Sequence, residues 1–165
     1  DMEVPVVIDA DGITHCAGAL RDHPALGADL LLTPHRGEAR TLLGQAVEEE
    51  DVHAFARCNR TILLKGRSDL ITDGIRWQRN PRGNPRMAMG GTGDCLAGLA
   101  AGLVARGCTA FDAARIASYW LTTAADELWQ ELGPCYLTDS ILDRLGPVLH
   151  REMAAIDRWP PVADD

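Results

Sequence analysis

The chain has 165 residues, enough for one domain with a buried core, and 46% of them are hydrophobic while 24% are charged, as in an ordinary globular protein. Its net charge of −8 argues against binding to nucleic acid or to a membrane surface, because both require clustered positive charge. A local pocket for phosphate remains compatible with this charge. We expect neither a signal peptide nor a membrane span, because no apolar run is long enough.

The five cysteines are odd in number and include no C-x-x-C pair. We therefore expect free thiols, buried as small apolar side chains in a reducing compartment. The predicted location is the cytoplasm.

Short apolar runs predict buried parallel strands at residues 4–9, 29–34 and 61–66. Residues 69–80 predict two edge strands around an Asp-Gly turn.

Helices are predicted at residues 37–44, 48–60, 93–107 and 109–133, and a last one from residue 138 with a kink near Pro147. The alternation of strands and helices predicts an α/β domain with a mostly parallel sheet. We place this domain at residues 1–150 and a C-terminal tail at 151–165.

The stretch MAMGGTGDCLAGLAAGL, residues 87–103, concentrates glycines around Asp94 at the start of a predicted helix. Gly91, Thr92 and Gly93 would let backbone N–H groups approach a ligand, and the positive end of the helix dipole would attract a phosphate. A carboxylate beside that phosphate suits a general base that takes the proton of an attacking hydroxyl. The alternative is a capped helix that packs tightly. We assign Gly98 and Gly102 to such packing.

Polar residues follow the three predicted parallel strands, where ligands bind in open α/β sheets. Asp9 and Asp11 follow the first strand, His35 follows the second, and Lys65 with Gly66 follows the third. Each has an ordinary alternative: the aspartates as turn residues, the histidine as a loop residue and the lysine as a surface side chain. Their convergence favours a ligand site.

Five segments occur in the order seen in a known family: VIDADGI, LTPHRGEARTLLG, LLKGRSDLITDG, NPRGNPRMAMGGTGDCLAGLAAGLVARG and DAARIASYWLTTAAD. The chain resembles the ADP/ATP-dependent NAD(P)H-hydrate dehydratases of the ribokinase-like superfamily over residues 4–149. G-T-G-D alone is shared across the superfamily. T-P-H-x-G-E together with N-x-x-G-N-x-x-M-A-x-G-G-T-G-D is far more specific.

The resemblance implies a three-layer α/β/α fold of the ribokinase-like kind and a repair reaction. Hydrated NADH or NADPH would be phosphorylated on its hydroxyl by ADP or ATP, and phosphate would then be eliminated. It implies that Asp94 is catalytic, that His35, Asp9 and Asp94 contact the hydrated dinucleotide, and that Mg²⁺ accompanies the phosphates, although no ligand set for it is evident. The implied nucleotide-binding residues are Lys65, Gly66, Arg67, Ser68, Asp69, Gly91, Thr92 and Gly93.

Two departures from the family pattern stand out. The family has a further N-terminal segment, with additional strands, ahead of VIDADGI, so we expect either a missing segment or a homo-oligomer. The nucleotide loop ends in Asp69 where threonine is common.

Two other functions remain open. One is a kinase of the same superfamily acting on a vitamin precursor or a sugar, because Asp94 would activate a hydroxyl in the same way. The other is an inactive nucleotide-binding fragment or regulatory subunit. In each case the predicted partners are small molecules and a nucleotide, not nucleic acid or membrane.

Overall fold

The computed structural model describes residues 5–23, 29–57 and 59–155. The strands are β1 (Val6–Ile8), β2 (Leu30–Leu32), β3 (Arg60–Leu64), β4 (Asp69–Thr72) and β5 (Trp77–Asn80). The helices are α1 (Asp11–Asp22), α2 (Arg36–Leu43), α3 (Glu49–Phe55), α4 (Thr92–Ala105), α5 (Ala110–Leu132) and α6 (Thr138–Ala155). Within these residues, no helix is long and apolar enough to cross a membrane.

The five strands form one sheet in the order β1-β2-β3-β4-β5. β1, β2 and β3 pair in parallel. β4 runs opposite to β3 and β5 runs opposite to β4, so four of the five strands point the same way. The predicted α/β class with a mostly parallel sheet is confirmed.

Alternate residues of the strands serve two separate cores. Leu30, Leu32 and Ile62 pack with α1, α2 and α3 on one face. Leu31 and Leu63 pack with α4, α5 and α6 on the other face. Because successive side chains of a strand point to opposite faces, a strand buried on both faces is apolar throughout. Burial of each Leu side chain stabilises the folded state by about 1.5–3 kcal/mol. Helices cover both faces of the sheet, which gives the three-layer α/β/α arrangement.

Helix α1 is absent from the prediction. Its buried residues Ile13, Ala17 and Leu20 follow a helical spacing, but two glycines among them weaken that pattern. The helix predicted at 48–60 is too long, because α3 ends at Phe55 and Arg60 begins β3. The guanidinium of Arg60 donates to the carbonyl oxygens of Leu20 (2.8 Å) and His23 (3.1 Å), which accounts for its burial in a strand.

Two further differences lie at the ends of the fold. β1 is not buried on both faces, because it is the last strand of the sheet and Val6 is 42% exposed. Its predicted first residue, Val4, lies outside the described residues. α6 continues through Pro147 to Ala155, past the predicted start of the tail at residue 151.

Candidate functional site

A cavity of about 960 Å³ lies at the carboxyl ends of β1 and β3, beside the N-terminus of α4. Predicted site residues line it: Asp9, His35, Lys65, Gly66, Arg67, Asp69, Gly91, Thr92, Gly93 and Asp94. Ser68, in the turn before β4, is the one predicted site residue that does not. Asp11 also lies off this cavity and opens α1. The topology therefore brings together residues that are 85 positions apart in the sequence.

Lys65 and Asp9 form an ion pair in the floor of the cavity. The Nζ atom of Lys65 donates to Oδ1 of Asp9 at 2.8 Å, and Oγ1 of Thr33 donates to the same oxygen at 2.7 Å. Oε2 of Glu38 lies 3.8 Å from the same Nζ atom. The side chains of Lys65 and Asp9 are only 21% and 13% exposed, so this charge pair is held in one geometry at the edge of the sheet.

His35 is the N-cap residue of α2. Its Nδ1 accepts from the backbone N–H of Glu38 at 3.0 Å, and its own backbone N–H donates to Oε2 of Glu38 at 2.8 Å. This capping box satisfies two N–H groups at the helix start. Because Nδ1 is the acceptor, the neutral ring carries its proton on Nε2 and can donate to a ligand from there. His35 therefore has a structural role as the N-cap of α2, and it also lines the cavity.

The N-terminus of α4 closes the cavity from the other side. Gly91 has a φ of 88°, a left-handed conformation that favours glycine. A Cβ atom on Gly93 would lie 3.3 Å from Nζ of Lys65 and 3.6 Å from Oδ2 of Asp9, so only a small residue lets the helix start approach the ion pair this closely. Asp94 follows in the first turn and is exposed.

Thr92 carries the clearest sign that this helix start is built for a ligand. The residue is 7% exposed, and its hydroxyl oxygen has no hydrogen-bond partner among the described residues. A buried hydroxyl without a partner costs free energy, about 1–3 kcal/mol. An anion at the free N–H groups of the first turn would lie next to it.

The packing assigned to Gly98 and Gly102 is wrong. Both residues are exposed, and a Cβ atom at either position would meet no other atom within 4 Å. α4 packs instead through Leu96 and Ala100, which lie on its opposite side and are buried.

Asp69 is held by two donors inside the cavity wall. Its Oδ1 accepts from the backbone N–H of Gly66 at 3.0 Å, and its Oδ2 accepts from Oγ of Ser118 at 2.7 Å. Burial raises the pKa of the Asp69 carboxyl, and the two hydrogen bonds and the charge of Lys65 only partly oppose this shift. The carboxylate therefore shapes the turn between β3 and β4.

The sequence reasoning assigned no role to the second wall of the cavity. This wall comprises Pro81, Arg82, Gly83, Asn84, Pro85, Met87, Ala88 and Met89, with Ser118, Leu121 and Thr122 of α5. Asn84 is fixed there, since it accepts from the Tyr136 hydroxyl at 2.7 Å and donates to Oδ1 of Asp126 at 3.1 Å. The sequence carries a signal for this wall, because most of its loop lies in the family motif N-x-x-G-N-x-x-M-A.

No group of three or more His, Cys, Asp or Glu side chains among the described residues could hold a metal ion. Mg²⁺ is usually held by one or two carboxylates together with phosphates and water. Asp9 and Asp94 are carboxylates in the lining of this cavity, and such a lining fits a Mg²⁺ ion that arrives with a nucleotide.

Replacing Asp69 by Asn is expected to remove a pH dependence of the free energy of unfolding. Because its pKa is raised in the folded state, folding favours the protonated carboxyl, and stability declines as the pH rises through the interval between the unfolded and folded pKa values. The free energy of unfolding should therefore decline over this interval in the wild-type protein, and this decline should be absent in Asp69→Asn. Urea titrations of both proteins across the pH range measure this.

Asp112→Asn is the matched control, because hydrogen bonds from Thr109 and Arg115 lower the pKa of Asp112. This variant should lose stability at neutral pH, and the loss should vanish in acid. If the free energy of unfolding of the wild-type protein and of Asp69→Asn changed with pH in the same way, the cost assigned to the buried charge would be wrong.

The fold and the cavity together define the class of protein: a ribokinase-like α/β domain with a glycine-rich helix start, a lysine and a carboxylate around one cavity. The family model described as NAD(P)H-hydrate dehydratase matches residues 1–146. The chain belongs to the NAD(P)H-hydrate dehydratase family.

Relatives and solved structures agree with this family. The chain is 36% identical to the ADP-dependent (S)-NAD(P)H-hydrate dehydratase of Cenarchaeum symbiosum, over 89% of this chain and 52% of that protein. It is 36% identical to the bifunctional NAD(P)H-hydrate repair enzyme of Hyperthermus butylicus, over 97% of this chain and 31% of that protein. The structure of the Bacillus subtilis ADP/ATP-dependent NAD(P)H-hydrate dehydratase, co-crystallised with ATP and Mg²⁺, has a TM-score of 0.74 at 29% identity, with 90% of this chain and 57% of that chain covered. The chain spans between 31% and 57% of the length of these proteins.

Proposed function

We propose that this chain takes part in the nucleotide-dependent dehydration of hydrated NADH or NADPH, and that the cavity beside α4 is the reaction site. The observation that carries the proposal is the meeting of Lys65, Gly93 and Asp94 around one anion position. Family membership supports the same reaction, as do the ADP-dependent and ADP/ATP-dependent relatives.

The residues of the cavity divide into two groups. Gly91, Thr92 and Gly93 supply the positive end of α4 to the transferred phosphoryl group. Lys65 adds a full positive charge on the same side. The proposed nucleotide site continues through Gly66, Arg67, Ser68 and Asp69. His35 and Asp9 form the proposed contacts to the hydrated dinucleotide.

Asp94 is the proposed general base. Its carboxylate takes the proton of the hydrate hydroxyl while that oxygen forms a bond to the terminal phosphorus of the nucleotide. The bond from this phosphorus to the bridging oxygen breaks at the same time, which releases AMP from ADP or ADP from ATP. The phosphate ester then breaks its C–O bond, the neighbouring carbon loses a proton, and inorganic phosphate leaves as the ring double bond forms. Mg²⁺ would neutralise phosphate charge when bound with the nucleotide.

The test is to incubate the protein with hydrated NADH, Mg²⁺ and either ADP or ATP, and to follow the absorbance of reduced nicotinamide and the release of phosphate. Recovery of NADH with equimolar phosphate supports the proposal and identifies the donor. A stable phosphorylated product would instead support the kinase alternative. Nucleotide binding without turnover, in this chain and in a longer form that includes the remaining family segments, would support the inactive nucleotide-binding alternative.

The cytoplasm is the location we propose for this repair, and a homo-oligomer is the proposed assembly. Sedimentation velocity tests the assembly: a single monomeric species at micromolar concentration would contradict it.

A further inference from the structure

A chain of hydrogen bonds, buried at its centre, runs from one wall of the cavity to the other. The backbone N–H of Gly66 donates to Asp69 at 3.0 Å, and Ser118 donates to the other oxygen of Asp69 at 2.7 Å. Asn80 donates to Oγ of Ser118 at 2.8 Å, and its own Oδ1 accepts from the backbone N–H of Arg82 at 3.2 Å. We refer to these four bonds as the Gly66–Arg82 relay.

Each group in the relay has one defined role. The Ser118 hydroxyl has a single proton, which goes to Asp69, and its lone pair receives the amide of Asn80. The second amide hydrogen of Asn80 goes to Oγ1 of Thr122 at 3.0 Å. Asn80 thus donates both of its amide hydrogens, so the orientation of its side-chain amide is determined.

The relay is sheltered from water at its centre. Ser118 is fully buried, and Asn80 is 6% exposed. Buried polar groups of this kind are costly when a partner is removed, because the remaining group is left without a hydrogen bond. Loss of the central hydroxyl would therefore affect both neighbours.

The two ends of the relay are the two walls of the cavity. Gly66 lies in the turn after β3, and Arg82 lies in the loop after β5. Both residues line the cavity, and β4 lies between β3 and β5, where the backbones of Asp69 and Asn80 are cross-strand partners. Ser118, on α5, adds a side-chain connection between the two walls.

We propose that Ser118 is a positioning residue that couples the two walls of the cavity through the Gly66–Arg82 relay, so that the nucleotide turn is preformed before a ligand binds. This inference rests on the proposed function for the identity of the ligand, and on geometry alone for the coupling. Preforming a loop reduces the entropy lost on binding. The raised pKa of Asp69 agrees with a carboxylate kept at a cost to stability.

The test compares Ser118→Ala with Thr123→Val. Thr123 is also buried on α5, but its hydroxyl has no hydrogen-bond partner among the described residues and it does not line the cavity. Amide hydrogen exchange of Gly66 and Arg82, read by NMR, reports on the relay without any ligand. Calorimetry with ADP and with ATP reports on the consequence for binding.

Ser118→Ala should speed exchange at both amides together and weaken nucleotide binding by about 10-fold, the size of one buried hydrogen bond. The loss should fall on kcat/KM for the nucleotide more than on kcat, because the effect is on ligand-free geometry. Thr123→Val should leave exchange and affinity unchanged. Ser118→Thr, which keeps the hydroxyl, should restore the protection of both amides.

Faster exchange at Gly66 alone, with Arg82 unchanged, would overturn the coupling. So would equal exchange in Ser118→Ala and Thr123→Val. If the wild-type protein bound neither ADP nor ATP, the proposed function would fail, while the exchange data would still decide whether the relay couples the walls.

Discussion

Asp94→Asn should lower the rate of NADH recovery by about 10²–10⁴-fold, the range for loss of a general base. Asn has nearly the same shape but cannot take a proton from a hydroxyl. Asp94 is exposed in the first turn of α4, so the substitution should leave the structure intact. Affinity for ADP and ATP should stay within a few-fold, and single-turnover kinetics with hydrated NADH measure the chemical step.

Asp112→Asn provides the control for this experiment. Asp112 is likewise an acid in the first turn of a helix, but it lies at the start of α5 and not in the cavity. Its replacement should leave the rate unchanged after correction for folded fraction. If the Asp94 variant kept more than about a tenth of wild-type activity, a general base worth at least 10²-fold could not be at this position.

Lys65→Ala should weaken binding of ADP and ATP by about 10–100-fold, because one charge-assisted hydrogen bond contributes about 1.5–3 kcal/mol. Binding of the dinucleotide should change less. A Cβ atom on Gly93 would lie 3.3 Å from Nζ of Lys65, so a phosphate bound at the start of α4 would also be close to this ammonium group. Calorimetric titration of each nucleotide, at two salt concentrations, measures the loss and its charge dependence.

Lys65 also neutralises Asp9, so its removal has two consequences that must be separated. The single variant leaves the Asp9 carboxylate, which is 13% exposed, without its cation, and that charge would itself repel a phosphate. The double variant Lys65→Met with Asp9→Asn removes both charges. If nucleotide affinity returned to the wild-type value in the double variant, Lys65 would act only by neutralising Asp9 and would not contact the nucleotide.

Local sequence signals were sufficient where one physical effect dominates. The apolar runs of β2 and β3 predict strands buried on both faces, and each strand indeed serves two cores. The N-cap at Thr109, which accepts from the backbone N–H of Asp112 at 3.1 Å, and the end of α5 before Gly133 were predicted within a residue. The strand ends also identified Asp9, His35 and Lys65 as neighbours, because parallel strands place their carboxyl ends at one edge.

Signals failed where distant contacts override local preference. From the sequence, Arg60 was predicted to be a basic residue at the end of a helix. In the structure its guanidinium donates to carbonyl oxygens of α1 and its C-cap, and Arg60 begins β3. Gly98 and Gly102 read as packing positions, and only the orientation of α4 shows that they face outward. His35 could not be known to cap α2 before the bond from the Glu38 N–H was seen.

The sequence by itself determined the α/β class, the family and a set of candidate groups for phosphate binding and proton removal, because these depend on residue type, spacing and strand direction. The tertiary structure decided which partners those groups have. It pairs Lys65 with Asp9, leaves the Thr92 hydroxyl without a partner and joins the two cavity walls through Ser118. Such contacts connect residues tens of positions apart, and no local pattern specifies them, since they depend on how the helices pack across the sheet.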